Sequence, residues 1–170
     1  MKKVWDSIKD YVYIIVAVLL IRTFLVTPAI VSGASMDNTL EDGQLVIINK
    51  LIYRISDIKR FDIVVLSNEL NNDKIIKRVI GLPNEKIEYR QNRLYINDEL
   101  VEVDFQYKET DNFSYTTKDG EYFVLGDNRP VSKDSRMLGV FKKDDFIGRV
   151  KYRLYPFSKF GKIDKVEDFN

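Results

Sequence analysis

The chain contains neither cysteine nor histidine across its 170 residues. Without cysteine there is no thiol catalysis, no disulfide and no thiolate metal site. Without histidine a Ser-His-Asp triad is impossible, and zinc loses its usual ligands. No metal and no cofactor is expected. An excess of charge of one sign is also missing. The 27 Lys+Arg and 26 Asp+Glu leave a net charge of +1, which gives no reason to expect a nucleic-acid partner. Internal repeats and low-complexity tracts are absent. At this length the chain can build one domain with a real core, or one domain plus a membrane anchor.

A long apolar run is nearly missing too. Tyr11 to Ile21 carries no charge, Arg22 and Thr23 interrupt it, and Phe24 to Val26 resumes it before Pro28. A spanning helix needs roughly 20 apolar residues, and about 17 at the least. Tyr11 to Thr27 just reaches that limit if the long stem of Arg22 carries its guanidinium to the interface. Lys2, Lys3 and Lys9 precede the run and favour a cytoplasmic N-terminus, with everything after Pro28 outside. A cleaved secretory signal peptide and an ordinary core helix are the other readings of this segment. The anchor is preferred, because cleavage after Ala29 or Ala34 would fall almost on the motif around Ser35. The expected organisation is a cytoplasmic stretch 1–10, an anchor 11–27, a β domain 28–160 and a polar tail 161–170.

Beyond Gly33 the pattern is one of short strands. Leu45–Ile48, Ile63–Leu66, Lys74–Ile80, Lys86–Tyr89, Arg93–Ile96, Tyr122–Leu125 and Gly148–Tyr155 are short runs set off by turn signals. Arg93–Ile96 sits between Gln91-Asn92 and Asn97-Asp98 and reads as part of a hairpin or meander. The fold class expected is mainly β, with short antiparallel strands. Residues 103–120 are polar and read as a mobile excursion.

Three segments could carry chemistry. A serine nucleophile needs a base, and a lysine held neutral is the leading substitute for histidine. Lys77 lies in Ile75-Ile76-Lys77-Arg78-Val79-Ile80, where strand alternation gives it aliphatic neighbours on its own face. Burial there would lower its pKa toward the range of a useful base. Ser35 follows the small residues Gly33 and Ala34, which let a substrate backbone approach closely. Gly126 to Arg136 is a polar loop after an apolar strand, with groups suited to pairing with one another or with Arg78. Each segment also has a plain reading: a surface lysine, a turn and a solvated loop.

Together the three segments resemble the bacterial type I signal peptidases, membrane-anchored endoproteases with a Ser/Lys dyad. The family's nucleophile box, small-x-Ser-Met-x-Pro-Thr-Leu, stands here as Gly33-Ala34-Ser35-Met36-Asp37-Asn38-Thr39-Leu40. Its lysine box, Lys-Arg-aliphatic-aliphatic-Gly-x-Pro-Gly-acidic, stands as Lys77-Arg78-Val79-Ile80-Gly81-Leu82-Pro83-Asn84-Glu85. The third box, Gly-Asp-Asn-x-x-x-Ser-x-Asp-Ser-Arg, matches Gly126 to Arg136 at each defined position. Asn38 and Asn84 depart from the family's proline and glycine. Asn84 could fill a glycine-like turn, whereas Asn38 would loosen the loop that carries Ser35.

The resemblance implies an N-terminal transmembrane helix followed by an extracytoplasmic all-β catalytic domain. It implies Ser35 as nucleophile, Lys77 as general base, Ser132 orienting the lysine, and the Ser35 amide binding the oxyanion. It pairs Arg78 with Asp127 and Asp134 with Arg136 as a polar shelf. Val31, Met36, Ile75 and Ile76 would form shallow substrate pockets. The expected partners are signal-peptide-bearing preproteins, cut after small residues, and membrane lipid. The expected location is the bacterial cell membrane, single-pass, with the catalytic domain on the outer face. A non-catalytic anchored binding domain and a soluble self-cleaving regulator are the competing classes.

Overall fold

The computed structural model describes residues 9–16, 18, 25–68, 73–102 and 109–163. Twelve strands run through them. In chain order they are β1 (Val26–Ile30), β2 (Leu45–Asn49), β3 (Ile63–Asn68), β4 (Asp73–Gly81), β5 (Lys86–Arg90) and β6 (Arg93–Ile96), followed by β7 (Glu99–Val101), β8 (Phe113–Thr116), β9 (Glu121–Leu125), β10 (Phe141–Lys142), β11 (Phe146–Tyr155) and β12 (Gly161–Lys162). The domain is mainly β and every pairing is antiparallel.

The large sheet runs β1-β2-β11-β3-β4-β9-β10, with β12 on β11, and a smaller sheet runs β7-β6-β5-β8. Strand β3 shows why the large sheet holds its core. Ile63 and Val65 join one apolar cluster, while Val64 and Leu66 join another on the opposite face. Both faces are buried, so the run is continuously apolar rather than alternating. Each such side chain contributes roughly 1.5–3 kcal/mol on burial. In the small sheet, Gln91, Asn92, Asn97 and Asp98 all take positive φ, the geometry of two-residue hairpin turns that suits the right-handed strand twist. A third cluster, built on Ile80, Ile87, Tyr89 and Phe123, joins the two sheets.

Several boundaries differ from the sequence reading. Val26 and Thr27, read as the end of the anchor, belong to β1, where edge position tolerates Pro28. Residues 9–16 and 18 are helical, while residues 17 and 19–24 of the expected anchor lie outside the described residues. Among the described residues, no helix is long and apolar enough to cross a membrane. Within the expected excursion, Phe113–Thr116 pairs with β5, because Phe113 stacks between Tyr89 and Phe123; residues 103–108 lie outside the description. The start of the expected tail is ordered. Its Gly161–Lys162 pairs with β11, and Ile163 is buried in the cluster that contains Val31 and Met36.

Candidate active site

Ser35 lies in the turn region between β1 and β2. Gly33 takes φ +88 and donates its N–H to Asp42 Oδ1 at 2.7 Å, which folds the chain back before the serine. Thr39 and Leu40 both donate backbone N–H to Met36 O, at 3.0 and 2.8 Å. Met36 and Leu40 are fully buried, so their side chains pin this turn to the core.

Lys77 lies on β4 at a break in pairing. β3 pairs with β4 from Asp73 to Arg78, but β9 joins the other edge only from Arg78 onward. β9 ends at Leu125 and the chain turns away at Gly126, which leaves the 73–77 edge open. Lys77 Nζ lies 2.8 Å from Ser35 Oγ and 3.0 Å from Ile76 O. The side chain is buried, at 3% exposure. Desolvation pushes its pKa from 10.5 down to about 8, and the charges of Asp134 and Asp127 work against a deeper fall.

The neighbouring Arg78 is at 1% exposure and is treated oppositely. Its Nε and Nη2 meet both oxygens of Asp127 at 2.9 and 2.7 Å, and Nη1 donates to Phe61 O at 3.0 Å. Thr39 Oγ1 donates to Asp127 and accepts from Arg78 Nη2, tying the serine turn to the same pair. Asp134 and Arg136 form a second two-pronged pair, at 2.8 and 2.9 Å, and Asp134 also accepts Gly126 N–H at 3.0 Å.

Ser132 is not joined to Lys77. Its hydroxyl is buried and has no hydrogen-bond partner among the described residues. It lies against Gly126, where any Cβ would overlap both Ser132 Oγ and the Ser35 carbonyl, so the loop requires a glycine there. The open side of the dyad is a cleft of about 250 Å³, lined by Val31, Met36, Ile75 and Ile76 together with Ala29, Ser32 and Lys74. Among the described residues no cluster of His, Cys, Asp or Glu could hold a metal ion.

The family model described as signal peptidase, peptidase S26, matches residues 4–155. The chain belongs to this signal peptidase family. Signal peptidase IB of Staphylococcus aureus (strain COL) is 35% identical, with 94% of this chain and 93% of that protein covered. Signal peptidase I of Bacillus amyloliquefaciens is 38% identical, with coverage of 94% and 92%. A crystal structure of a signal peptidase I from Enterococcus faecalis V583 superposes with a TM-score of 0.51 at 37% identity, covering 56% of this chain and 97% of that one.

The departures from the signal peptidase boxes have distinct geometries. Asn84 takes φ +63, the left-handed region that a glycine would fill. Asn38 takes φ +85, a value closed to a proline ring fixed near about −65°. The turn is therefore not a proline turn made looser; its backbone follows a path that excludes proline. Sequence reasoning passed over Asn128 and Arg129. Asn128 donates to the Ala34 and Ser35 carbonyls. Arg129, fully buried, donates to Gly126 O at 3.0 Å and lies 4.8 Å over the Tyr89 ring, so it joins the polar loop to the small sheet. The signal was their place inside a polar loop directly after an apolar strand.

Proposed function

We propose that this signal peptidase family member is a membrane-anchored serine endopeptidase that removes signal peptides from translocated preproteins. The observation that carries the reading is the 2.8 Å approach of Lys77 Nζ to Ser35 Oγ in a site that lowers the lysine pKa to about 8. In the neutral amine a lone pair faces the serine hydroxyl. Lys77 takes the Ser35 proton as Oγ attacks the scissile carbonyl, then gives it to the leaving amine. The Ser35 N–H has no partner among the described residues and supplies an oxyanion donor. Such a donor is worth roughly 3–4 kcal/mol of transition-state stabilisation. Lys77 then activates the water that clears the acyl-enzyme. By likeness to the family, Ser132 orients the ammonium, and its hydroxyl has no competing partner among the described residues. The buried Arg78–Asp127 pair and the part-buried Arg136–Asp134 pair hold the loop that carries it.

Substrate selection follows from the cleft. The open edge of β4 offers backbone groups to an extended peptide. Val31 and Met36, both buried, and the half-buried Ile75 and Ile76 make walls that suit small side chains at the first and third positions before the cut. The anchor proposed over residues 11–27 is supported by Tyr11, Val12, Tyr13, Ile14, Ile15 and Val16, all exposed on the N-terminal helix. An apolar helix whose side chains from Tyr11 to Val16 are exposed among the described residues is suited to lipid. Lys2, Lys3 and Lys9, which precede the apolar run 11–27, orient the N-terminus to the cytoplasm and the catalytic domain to the outer face of the bacterial membrane.

The test is cleavage of a preprotein by the purified full chain in detergent. Ser35→Ala and Lys77→Met should each lower turnover by at least about 10³-fold. Near-wild-type turnover in either variant defeats the dyad. The wild-type rate should rise with pH through about 8, as the amine loses its proton. A flat profile from pH 6 to pH 10 defeats the neutral base.

A further inference from the structure

We propose that Asn128 is the positioning residue that aims the Ser35 N–H at the developing oxyanion. The inference rests on the Ser/Lys reading above and adds a residue to it. The peptide between Ala34 and Ser35 is trans, so its C=O and N–H lie in one plane and point in opposite directions. Holding one end sets the direction of the other. Asn128 Nδ2 donates to Ala34 O at 2.9 Å, and Asp37 N–H donates to the same oxygen at 3.2 Å. The Asn128 backbone N–H donates to Ser35 O at 3.0 Å. One residue thus grips the carbonyls on both sides of the Ser35 Cα, while the amide between them stays open.

The grip also tunes the donor. Two hydrogen bonds to Ala34 O draw electron density toward that oxygen, and amide resonance makes the attached N–H more positive. Asn128 is 4% exposed, so solvent does not stand in for its side chain. Its Oδ1 is buried with no partner among the described residues. Turning the amide round would set Oδ1 against the Ala34 carbonyl, acceptor to acceptor. The site therefore requires an NH₂ group, and it tolerates a leftover oxygen to obtain one. A bond that merely tied two loops together could end on any group of the serine turn. This one ends on the peptide plane that carries the oxyanion donor, and Asn128 makes no hydrogen bond to Lys77.

The experiment uses the full chain in detergent, a fluorogenic signal-peptide substrate and a peptide boronate. The boronate's tetrahedral adduct on Ser35 places a negative oxygen where the donor points. Asn128→Ala and Asn128→Leu, neither of which adds charge beside Lys77, should lower kcat on the order of 10²-fold and leave KM within about twofold. Boronate affinity should fall by the same factor as kcat. The pH midpoint of kcat/KM should stay at its wild-type value, because Lys77 is untouched. Unchanged kcat, a moved midpoint, or a kcat loss with full boronate affinity overturns the proposal. Asn128→Leu keeps the branching of the wild-type side chain without adding charge, and replaces Asn128→Ala if the latter loses its melting transition. A wild-type chain that forms no Ser35 adduct overturns the dyad itself. A wild-type adduct with undiminished affinity in the Asn128 variants overturns only the positioning role.

Discussion

In the small sheet, each fully buried strand position of β5, β6 and β7 carries an apolar or aromatic residue: Ile87, Tyr89, Leu94, Ile96 and Val101. At the cleft, β4 buries two adjacent cations, Lys77 and Arg78. The strands of the first region bury only residue types that a sheet core prefers. The second violates that preference twice and resolves each violation differently. Arg78 receives a carboxylate, a carbonyl and a hydroxyl, so its charge is kept and shared. Lys77 receives a hydroxyl and one carbonyl but no carboxylate within bonding distance, so its charge becomes the cheaper thing to lose. Adjacent residues in one strand thus meet burial in opposite ways: the guanidinium, which stays charged, is surrounded by acceptors, and the amine, which can lose its proton, is not.

That contrast breaks most sharply if Lys77 is made into Arg78. A guanidinium cannot be deprotonated at working pH. Lys77→Arg should lower turnover by at least about 10³-fold and destabilise the fold, read by preprotein cleavage and thermal melting. The reverse break is Arg78→Met, which leaves Asp127 as an unpaired buried anion. It should cost about 3–5 kcal/mol in urea unfolding, and Arg78→Met combined with Asp127→Leu should cost less than Arg78→Met alone. A double variant worse than the single one would mean that the pair acts as more than charge compensation.

The lysine's burial also has a stability signature. Between about pH 8 and 10.5 the folded chain has released a proton that the unfolded chain still binds, so unfolding free energy rises with pH across that window. Below about 8 both states are protonated and the full penalty stands; above 10.5 both are neutral and it is gone. At ~1.4 kcal/mol per pKa unit the penalty is roughly 3 kcal/mol. Lys77→Met should therefore be inactive yet more stable than wild type at pH 6, by up to that amount, with the gap closing above pH 8. Equal melting temperatures at pH 6 would show that the amine is not desolvated.

The same contrast explains what the sequence made legible. Strand runs such as Ile63–Leu66 and the paired turn signals around Arg93–Ile96 are local, and they can be read directly. Strand β8 could not, because Phe113 is held by Tyr89 and Phe123 from distant segments rather than by its polar neighbours. Nor could Ile163, whose partners Val31 and Met36 lie at the other end of the chain. At the site, the residue types of Ser35 and Lys77 are informative because histidine is missing. The work of Asn128 is not, since it depends on two carbonyls ninety-odd positions away whose direction no side-chain pattern records.

The smallest effect belongs to the one place where the small sheet departs from its own rules. Of the four turn residues with positive φ, Asn92, Asn97 and Asp98 are types that tolerate the left-handed region, and Gln91, at φ +50, is not. The Gln91 backbone N–H is bound by Asn112 Oδ1 at 2.9 Å, and its side chain is exposed, so a substitution leaves the packing intact. Gln91→Asn should stabilise the chain by a few tenths to about 1 kcal/mol and leave turnover unchanged. A loss of stability would mean that the glutamine side chain makes a contact the turn needs. A change in turnover would mean that the small sheet reaches the cleft, and the route would run through Tyr89 to Arg129, whose guanidinium binds Gly126 O.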